Sequence, residues 1–206
     1  MLQDVPSFDK LVHELGKLPG IGHKTAQRLA YYVLRSPSEY SEELSEALHA
    51  VKAHVTECPS CFSYTENEDS CKLCTNDGRD DRVLCVVEEP ADIARIESSR
   101  AFNGRYHVLH GALSPLDGIT PNDIRIQPLM DKIQKGINNE GPAIEEVILA
   151  LDADLEGDTT VLYLAKILSE KGIKSSRIAH GVPIGGDIDY IDNRTLERAL
   201  ENRVQL

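Results

Sequence analysis

The sequence predicts an α/β protein in which a small helical module and a cysteine-rich module precede a parallel sheet. Three observations support this prediction. Apolar residues at helical spacing flank a glycine-rich turn near the N-terminus, four cysteines form two C-x-x-C pairs, and strand-like apolar runs alternate with helical segments beyond residue 82. The chain has 206 residues, enough for one large or two small domains with a hydrophobic core.

The first module is predicted to be a pair of short amphipathic helices joined by a Pro-Gly-x-Gly turn. The apolar positions of both helices follow the i, i+3, i+4, i+7 spacing: Phe8, Leu11, Val12 and Leu15 before the turn, and Ala26, Leu29, Ala30 and Val33 after it. This arrangement is a helix-hairpin-helix.

The turn reads Leu-Pro-Gly-Ile-Gly-His-Lys-Thr-Ala over residues 18–26. Glycine lets a backbone approach a phosphate closely, and a helix that starts directly afterwards points its free N–H groups and positive dipole end at an anion. Lys24 and Arg28 lie one turn apart and add positive charge. The predicted nucleic-acid contacts, made to the backbone rather than the bases, are Gly20, Gly22, His23, Lys24, Thr25 and Arg28.

Two other interpretations compete for this segment. The turn could simply join two core helices, with its glycines as ordinary helix-ending residues. It also approaches the nucleotide-binding P-loop pattern, but His23 stands where the lysine belongs and a helix, not a strand, precedes the loop. The P-loop is therefore rejected.

The net charge of −12 is unusual for a nucleic-acid binder. The distribution is uneven, since residues 1–35 carry five Lys/Arg and three Asp/Glu. A single weakly basic hairpin predicts weak, salt-sensitive binding, which becomes useful when several copies act together. The charge pattern therefore favours a homo-oligomer.

Cys58, Cys61, Cys71 and Cys74 form two C-x-x-C pairs nine residues apart, a spacing typical of one tetrahedral Zn²⁺ site. The alternatives are disulfides, which a reducing cytoplasm disfavours, and a redox C-x-x-C, which lacks a βαβ context here. With four protein ligands the zinc is expected to be structural. Cys85 lies in an apolar run and is predicted to be a core residue.

Strands are predicted at residues 82–87, 105–109, 146–151 and 176–179, and helices at 91–97, 122–134 and from Asp158 to Lys171, with Gly172 just beyond. Such alternation indicates a parallel sheet with helices on both faces. Functional groups in these sheets gather at the carboxyl ends of strands.

Acidic residues follow two of the predicted strands: Glu88, Glu89, Asp152, Asp154 and Glu156. Carboxylates around one crevice repel each other unless a cation joins them, and Mg²⁺ prefers oxygen ligands. We expect either an Mg²⁺ site or a partner-binding site here. The alternative is that these acids only stabilise helix starts, which is the role expected for Asp158.

The segment from His180 to Tyr190 is glycine-rich. It is either a loop beside the acidic crevice or a connector to the C-terminal tail. The chain contains no apolar run near the ~20 residues of a membrane helix, and the N-terminus lacks a signal-peptide pattern. A cytoplasmic location without membrane association is therefore expected.

The order of these modules resembles the RecR family of bacterial recombination mediators over nearly the full chain. The carrying segments are residues 18–29, the cysteine quartet, Val86–Asp92, Tyr106–Gly111, Leu113–Gly118 and His180–Asp187. Each segment alone is weak, whereas their order is highly specific.

The resemblance implies that the α/β part is a Toprim domain, the metal-binding fold of topoisomerases and DnaG-type primases. It implies a tetrameric ring that can encircle DNA, and partnership with RecO and RecF in loading recombinase onto gapped or single-stranded DNA. Its DNA contacts carry over to Lys24 and Arg28. Family members often have proline where this chain has His23, and many keep the Glu-Gly pair that follows but not both aspartates of the Asp152-Ala-Asp154 segment.

We therefore expect a helix-hairpin-helix DNA-binding domain over residues 1–56, a four-cysteine zinc finger over 57–78, a Toprim domain over 79–175 and a C-terminal loop and tail over 176–206. The favoured function is a DNA clamp and adaptor, not an enzyme. The alternative is an Mg²⁺-dependent Toprim nuclease or primase-like enzyme with Glu88 as acid/base and Asp152 and Asp154 as metal ligands. The acidic balance beyond residue 82 disfavours a primase.

Overall fold

The computed structural model describes residues 5–66 and 69–204. The chain divides into two compact units, Met1–Val55 and Thr56–Leu206. No signal-peptide pattern was found at the N-terminus in the sequence analysis, and most of that segment lies outside the described residues. Among the described residues, no helix combines the length and apolarity needed to cross a bilayer. The finer domain boundaries expected from the sequence stay predictions.

From residue 5 onward, where the structure describes it, the first unit contains three helices: α1 (Pro6–Leu15), α2 (His23–Arg35) and α3 (Ser38–His54). Helices α1 and α2 pack through the apolar positions expected from their spacing, with Phe8, Val12, Ala26 and Ala30 buried. Ala26 and Ala30 are fully buried, so small side chains let the two helices approach closely. The predicted helix-hairpin-helix is present.

Helix α3 buries none of its residues. Its apolar side chains are nonetheless spaced as a helical stripe, with Tyr40, Leu44, Leu48 and Val51 all more than a third exposed. An apolar stripe of this kind is ordinarily covered in a folded assembly.

The second unit is built on a four-stranded parallel sheet of order β4-β3-β5-β6. Its strands are β3 (Asp80–Val87), β4 (Gly104–Val108), β5 (Glu146–Ala150) and β6 (Lys174–Arg177). A separate antiparallel pair, β1 (Thr56–Glu57) with β2 (Tyr64–Thr65), lies in the cysteine module.

The helices of this unit are α4 (Pro90–Ser99), α5 (Ile126–Ile137), α6 (Leu155–Glu170) and α7 (Asn193–Glu201), with a 3₁₀ turn at Ile188–Tyr190. Alternate residues of β3 face opposite sides of the sheet. Leu84 and Val86 pack with α5 and α6, while Cys85 and Val87 pack with α4 and the cysteine module. Both faces are therefore covered, as predicted, and Cys85 is a buried core residue.

Most predicted boundaries differ from the structure by one to four residues, and three of these differences can be traced to particular contacts. Helix α5 begins at Ile126 rather than Asn122, and the Arg125 N–H, just before it, donates to the Leu109 carbonyl. Strand β6 lies two residues earlier than predicted, because Ser175 pairs with Val147. Helix α6 begins at Leu155, and Asp154 rather than Asp158 caps it.

Candidate nucleic-acid interface, metal centre and acidic crevice

The hairpin turn uses its two glycines in different ways. Gly20 has a φ of +76°, a left-handed conformation that other residues adopt only with strain. Gly22 is extended, with a φ of −75°, and is the N-cap of α2. Among the described residues, a Cβ added at Gly22 would meet nothing within 4 Å. In that part of the chain, neither backbone strain nor packing therefore requires glycine at position 22.

The N-terminus of α2 is open. Gly22 offers no side-chain cap, so the first N–H groups of the helix are not capped by a side chain. Helix α2 begins at His23, and His23 and Lys24 are exposed while Thr25 is half-buried. The predicted contact residues thus surround an uncapped, electropositive helix end.

A shallow groove continues from this helix end along α2. Lys24, Arg28 and Arg35 line it together with Gln27, Tyr31 and Tyr32. Arg35 lies 5.8 Å from the centre of the Tyr31 ring, and the Tyr32 side chain is 59% exposed. Sequence reasoning identified the first two cations as contacts but missed Arg35 and the tyrosines. Tyr31, Tyr32 and Arg35 follow Lys24 by seven, eight and eleven residues, a spacing that puts them on the same face of the helix.

The four cysteines of the second unit come together as predicted. Their sulfur atoms all lie within 4.8 Å of one another. Cys58 Sγ is 3.9 Å from Cys74 Sγ, and Cys61 Sγ is 3.6 Å from Cys71 Sγ. A tetrahedral ion with bonds of about 2.3 Å places its sulfur ligands about 3.8 Å apart. The spacing therefore fits a single tetrahedral metal ion.

The thiols of this cluster influence each other strongly. Burial acts to raise the pKa of Cys58, but backbone N–H groups, chiefly that of Cys71, lower it to about 6. The Cys71 N–H donates to Cys58 Sγ at 3.3 Å. Hydrogen bonding to Cys74 and burial raise the pKa of Cys61, and burial raises that of Cys71. Four thiolates at this spacing need a cation among them.

Two cations of the sheet domain hold the cysteine module. Arg105 Nη1 donates to the Leu73 and Cys74 carbonyls at 2.8 and 3.0 Å. Lys132 Nζ, on α5, donates to the Ser60 carbonyl at 2.5 Å. Burial lowers the pKa of Lys132, and the charges of the nearby cysteines oppose this shift only in part. Neither residue was identified in the sequence analysis. For Lys132, the signal that could have indicated its role is its position on an apolar helix face.

The acidic residues lie where the strand order reverses. The chain leaves β3 for β4 on one side and later returns to β5 on the other, so Glu88 and Asp152 follow two adjacent strands, β3 and β5. This switch point is the usual binding crevice of a parallel sheet. Glu88 Oε2 is buried and has no hydrogen-bond partner among the described residues. Burial, and then the charge of Asp152, raise the pKa of Glu88.

The other acids of this group have local roles as well. Asp154 Oδ1 accepts from the Gly157 N–H at 2.8 Å as the cap of α6. Glu89 is the N-cap residue of α4, where its N–H donates to Asp92. Glu156 is half-buried in the first turn of α6. Among the described residues, the cysteine quartet is the one group of three or more metal-ligand side chains within reach of a single ion. The structure therefore does not gather the five acids into one ready ligand set.

Gly157 explains the tightness of the β5–α6 turn. A Cβ at this position would lie 2.1 Å from the Asp152 carbonyl oxygen. Only glycine fits this approach, which holds the Asp152 backbone directly against the start of α6. Asp158 is not the helix cap, because Asp154 takes that position. Asp158 lies in the first turn of α6, where an acid stabilises the helix start as expected, and Arg177 donates to Asp158 Oδ1 at 2.5 Å.

Comparison with known proteins supports this architecture at three places. Family models match residues 8–52 (RecR, helix-hairpin-helix), 82–179 (Toprim domain) and 181–204 (RecR, C-terminal). A curated protein of Bdellovibrio bacteriovorus, named "Recombination protein RecR", is 64% identical over 98% of each chain. A protein of the same name from Syntrophotalea carbinolica is 50% identical over the whole of both chains. Another, from Myxococcus xanthus, is 48% identical over 97% of this chain and 98% of the relative. The chain belongs to the RecR family.

Proposed function

We propose that this protein is a DNA-binding clamp and adaptor in recombinational DNA repair, without chemistry of its own. It acts in the cytoplasm with RecO and RecF to load recombinase onto gapped or single-stranded DNA. The observation that carries the proposal is the uncapped N-terminus of α2 behind Gly22, flanked by the exposed cations Lys24 and Arg28. Membership of the RecR family supports it.

The chemistry of this hairpin suits phosphate rather than bases. Free backbone N–H groups and a helix dipole attract an anion without reading sequence. Neither its backbone conformation nor its packing against the described residues requires Gly22 to be glycine. We infer that the space beside it is kept for an incoming phosphate. The tyrosines of the same groove offer rings on which unpaired bases can stack.

A closed assembly explains how a chain with a net charge of −12 can bind DNA. One hairpin contributes few phosphate contacts, while several hairpins in a ring act at high effective concentration. The uncovered stripe of α3 supports association, because Tyr40, Leu44, Leu48 and Val51 are exposed in the single chain. We propose a homotetrameric ring.

The metal in the cysteine quartet is proposed to be structural Zn²⁺. Four sulfur ligands at tetrahedral spacing leave no open coordination position for catalysis. Mg²⁺ suits the donor chemistry of the acidic crevice, where Glu88 has a buried oxygen without a partner among the described residues. Glu88, Asp152 and Asp154 would hold it after their side chains move towards one another, because as they stand they do not form a group within reach of one ion. The same surface is proposed to contact a repair partner.

The clamp is tested by charge reversal. Lys24→Glu/Arg28→Glu is expected to abolish binding to gapped duplex, measured by fluorescence anisotropy. The mass of the DNA-free assembly, measured by light scattering at two salt concentrations, should be the same in the variant and the wild type, and only the wild type should gain mass when DNA is added. Wild-type affinity in the variant would refute the role of the hairpin, and a monomeric wild type would refute the ring.

The partner-binding role of the acidic crevice has a separate test. Asp152→Asn is expected to weaken RecO binding or the response to Mg²⁺, because it removes one of the charges that face Glu88. If both stay as in the wild type, this assignment is wrong.

A nuclease function is the second candidate, and the Glu88 oxygen that has no partner in the described part of the chain is the observation that favours it. It predicts Mg²⁺-dependent cleavage of gapped duplex by the wild type and none by Asp152→Asn. Such cleavage would replace the clamp proposal, whereas intact DNA in both reactions supports it.

A further inference from the structure

A pocket of about 300 Å³ lies between the start of α6, the segment after β6 and α7. Its lining includes Asp158, His180, Arg194, Thr195 and Arg198. This volume is at the lower end of the roughly 300–1,000 Å³ typical of small-molecule sites. The pocket joins the carboxyl end of the sheet to the C-terminal tail, and neither the hairpin nor the cysteine cluster contributes to it.

The pocket holds more positive than negative charge. Asp158 alone faces three guanidinium groups: Arg177 at 2.5 Å, Arg198 at 3.2 Å and Arg194 at 3.7 Å. A second carboxylate, Glu201, lies 3.7 Å from Arg198, is largely exposed and is not part of the lining. The excess positive charge contrasts with the acidic balance of the chain.

Asp158 does not accept hydrogen bonds from all of the N–H donors around it. A guanidinium has five N–H groups, and one carboxylate cannot accept from all three arginines fully. Arg177 Nε is buried without a hydrogen-bond partner in the described part of the chain. The Arg194 side chain is 60% exposed and only loosely paired. Burial, followed by the charge of Arg177, lowers the pKa of His180, which leaves a neutral imidazole beside these groups.

We propose that this pocket binds a phosphate group through Arg194, Arg198 and the His180 side chain. Arginine is the residue best suited to phosphate, because its planar fork makes two parallel hydrogen bonds. The phosphate belongs to a small phosphate ester or to a nucleic-acid end, since both present the same oxyanion. The site is independent of the hairpin and of the function proposed above.

A purely structural role for the arginines and a role in phosphate binding predict different effects of removing the charge of Asp158. If they only fasten α7 to α6, removing the carboxylate charge gives no gain in affinity for anions. If the pocket binds phosphate, Asp158 competes with the ligand for the same donors. Asp158→Asn should then tighten phosphate binding because repulsion is removed.

The test is calorimetric titration of the full-length protein with inorganic phosphate, against chloride at equal ionic strength. The wild type should bind phosphate and not chloride, Arg194→Gln should weaken binding at least tenfold, and Asp158→Asn should strengthen it several-fold. Arg203→Gln is the matched control, because Arg203 follows α7 but is not part of this lining.

Three results would overturn the proposal: phosphate and chloride behaving alike, unchanged binding in Arg194→Gln, or weaker binding in a folded Asp158→Asn protein. If Asp158→Asn does not fold, the exposed Arg194 decides the case. Adenosine monophosphate and a 5′-phosphorylated oligonucleotide, tested in a Lys24→Gln/Arg28→Gln background, separate the two sources. Whichever binds more tightly than inorganic phosphate is the ligand class, and equal binding identifies a site for the free ion.

Discussion

Neutralising the two cations beside the open end of α2 should change how DNA binding depends on salt. Lys24 and Arg28 are exposed and line the same groove, so each is expected to displace one counterion from a phosphate. Each contact adds about 0.9 to the slope of log affinity against log salt on duplex DNA, or about 0.7 on a single strand. The double variant Lys24→Gln/Arg28→Gln should therefore lose about 1.8 units of slope per engaged hairpin on duplex DNA.

This slope has a measurable consequence. Between about 50 and 200 mM salt, two phosphate contacts account for roughly a tenfold loss of affinity, which the variant should no longer show. The assay is anisotropy of a labelled gapped duplex over that salt range. The matched control is Lys10→Gln/Lys52→Gln, which removes two exposed cations of the same unit outside the groove. An unchanged slope in the Lys24/Arg28 variant, or an equal decrease in the control, would refute the reasoning.

Three further predictions follow from particular contacts. Gly22→Ser should stabilise α2 by a few tenths of a kcal/mol, because serine is a better N-cap, and should weaken DNA binding, because its hydroxyl occupies the N–H groups that face the phosphate. Thermal melting measures the stability and anisotropy measures the DNA affinity. A stability and an affinity that change in the same direction would contradict the assignment. Cys71→Ala should lose the bound metal and melt at a lower temperature, whereas Cys85→Ala should keep one metal ion per chain by elemental analysis; equal metal content in both would refute the site. Burial lowers the pKa of His107 from 6.5 to about 3, so the folded state resists a proton that the unfolded chain accepts, and stability is lost as the pH falls below 6.5. The loss from this group should be about 2 kcal/mol between about pH 6.5 and pH 5, and His107→Gln should remove it in urea titrations at the two pH values; the same pH dependence in both proteins would exclude His107 as its cause.

The local pattern was sufficient to predict the helices of the hairpin and the strands of the sheet. Apolar spacing around the Pro-Gly-Ile-Gly turn predicted the buried positions of α1 and α2, which are Phe8, Val12, Ala26 and Ala30. Spacing between cysteines predicted that four sulfurs would meet. Both succeed because short-range periodicity determines which side chains share a face.

Element ends were less predictable. Asp154, not Asp158, caps α6, because Gly157 allows the chain to turn against the Asp152 carbonyl and start the helix three residues earlier. Asp and Glu occur at several positions of this segment, and composition does not distinguish a cap from a first-turn residue. The backbone approach at Gly157 is a tertiary contact, and it decides the boundary.

By itself the sequence determined the order of modules, the cysteine quartet and the residues that flank the open helix end, since all three depend on neighbours along the chain. Only the tertiary structure decided which distant side chains meet. It placed Glu88 beside Asp152 through adjacent strands, pinned the cysteine module with Arg105 and Lys132, and gathered Arg177, Arg194 and Arg198 around Asp158. The physical reason is that strand order and helix docking are set by burial summed over the whole core, which no local pattern encodes.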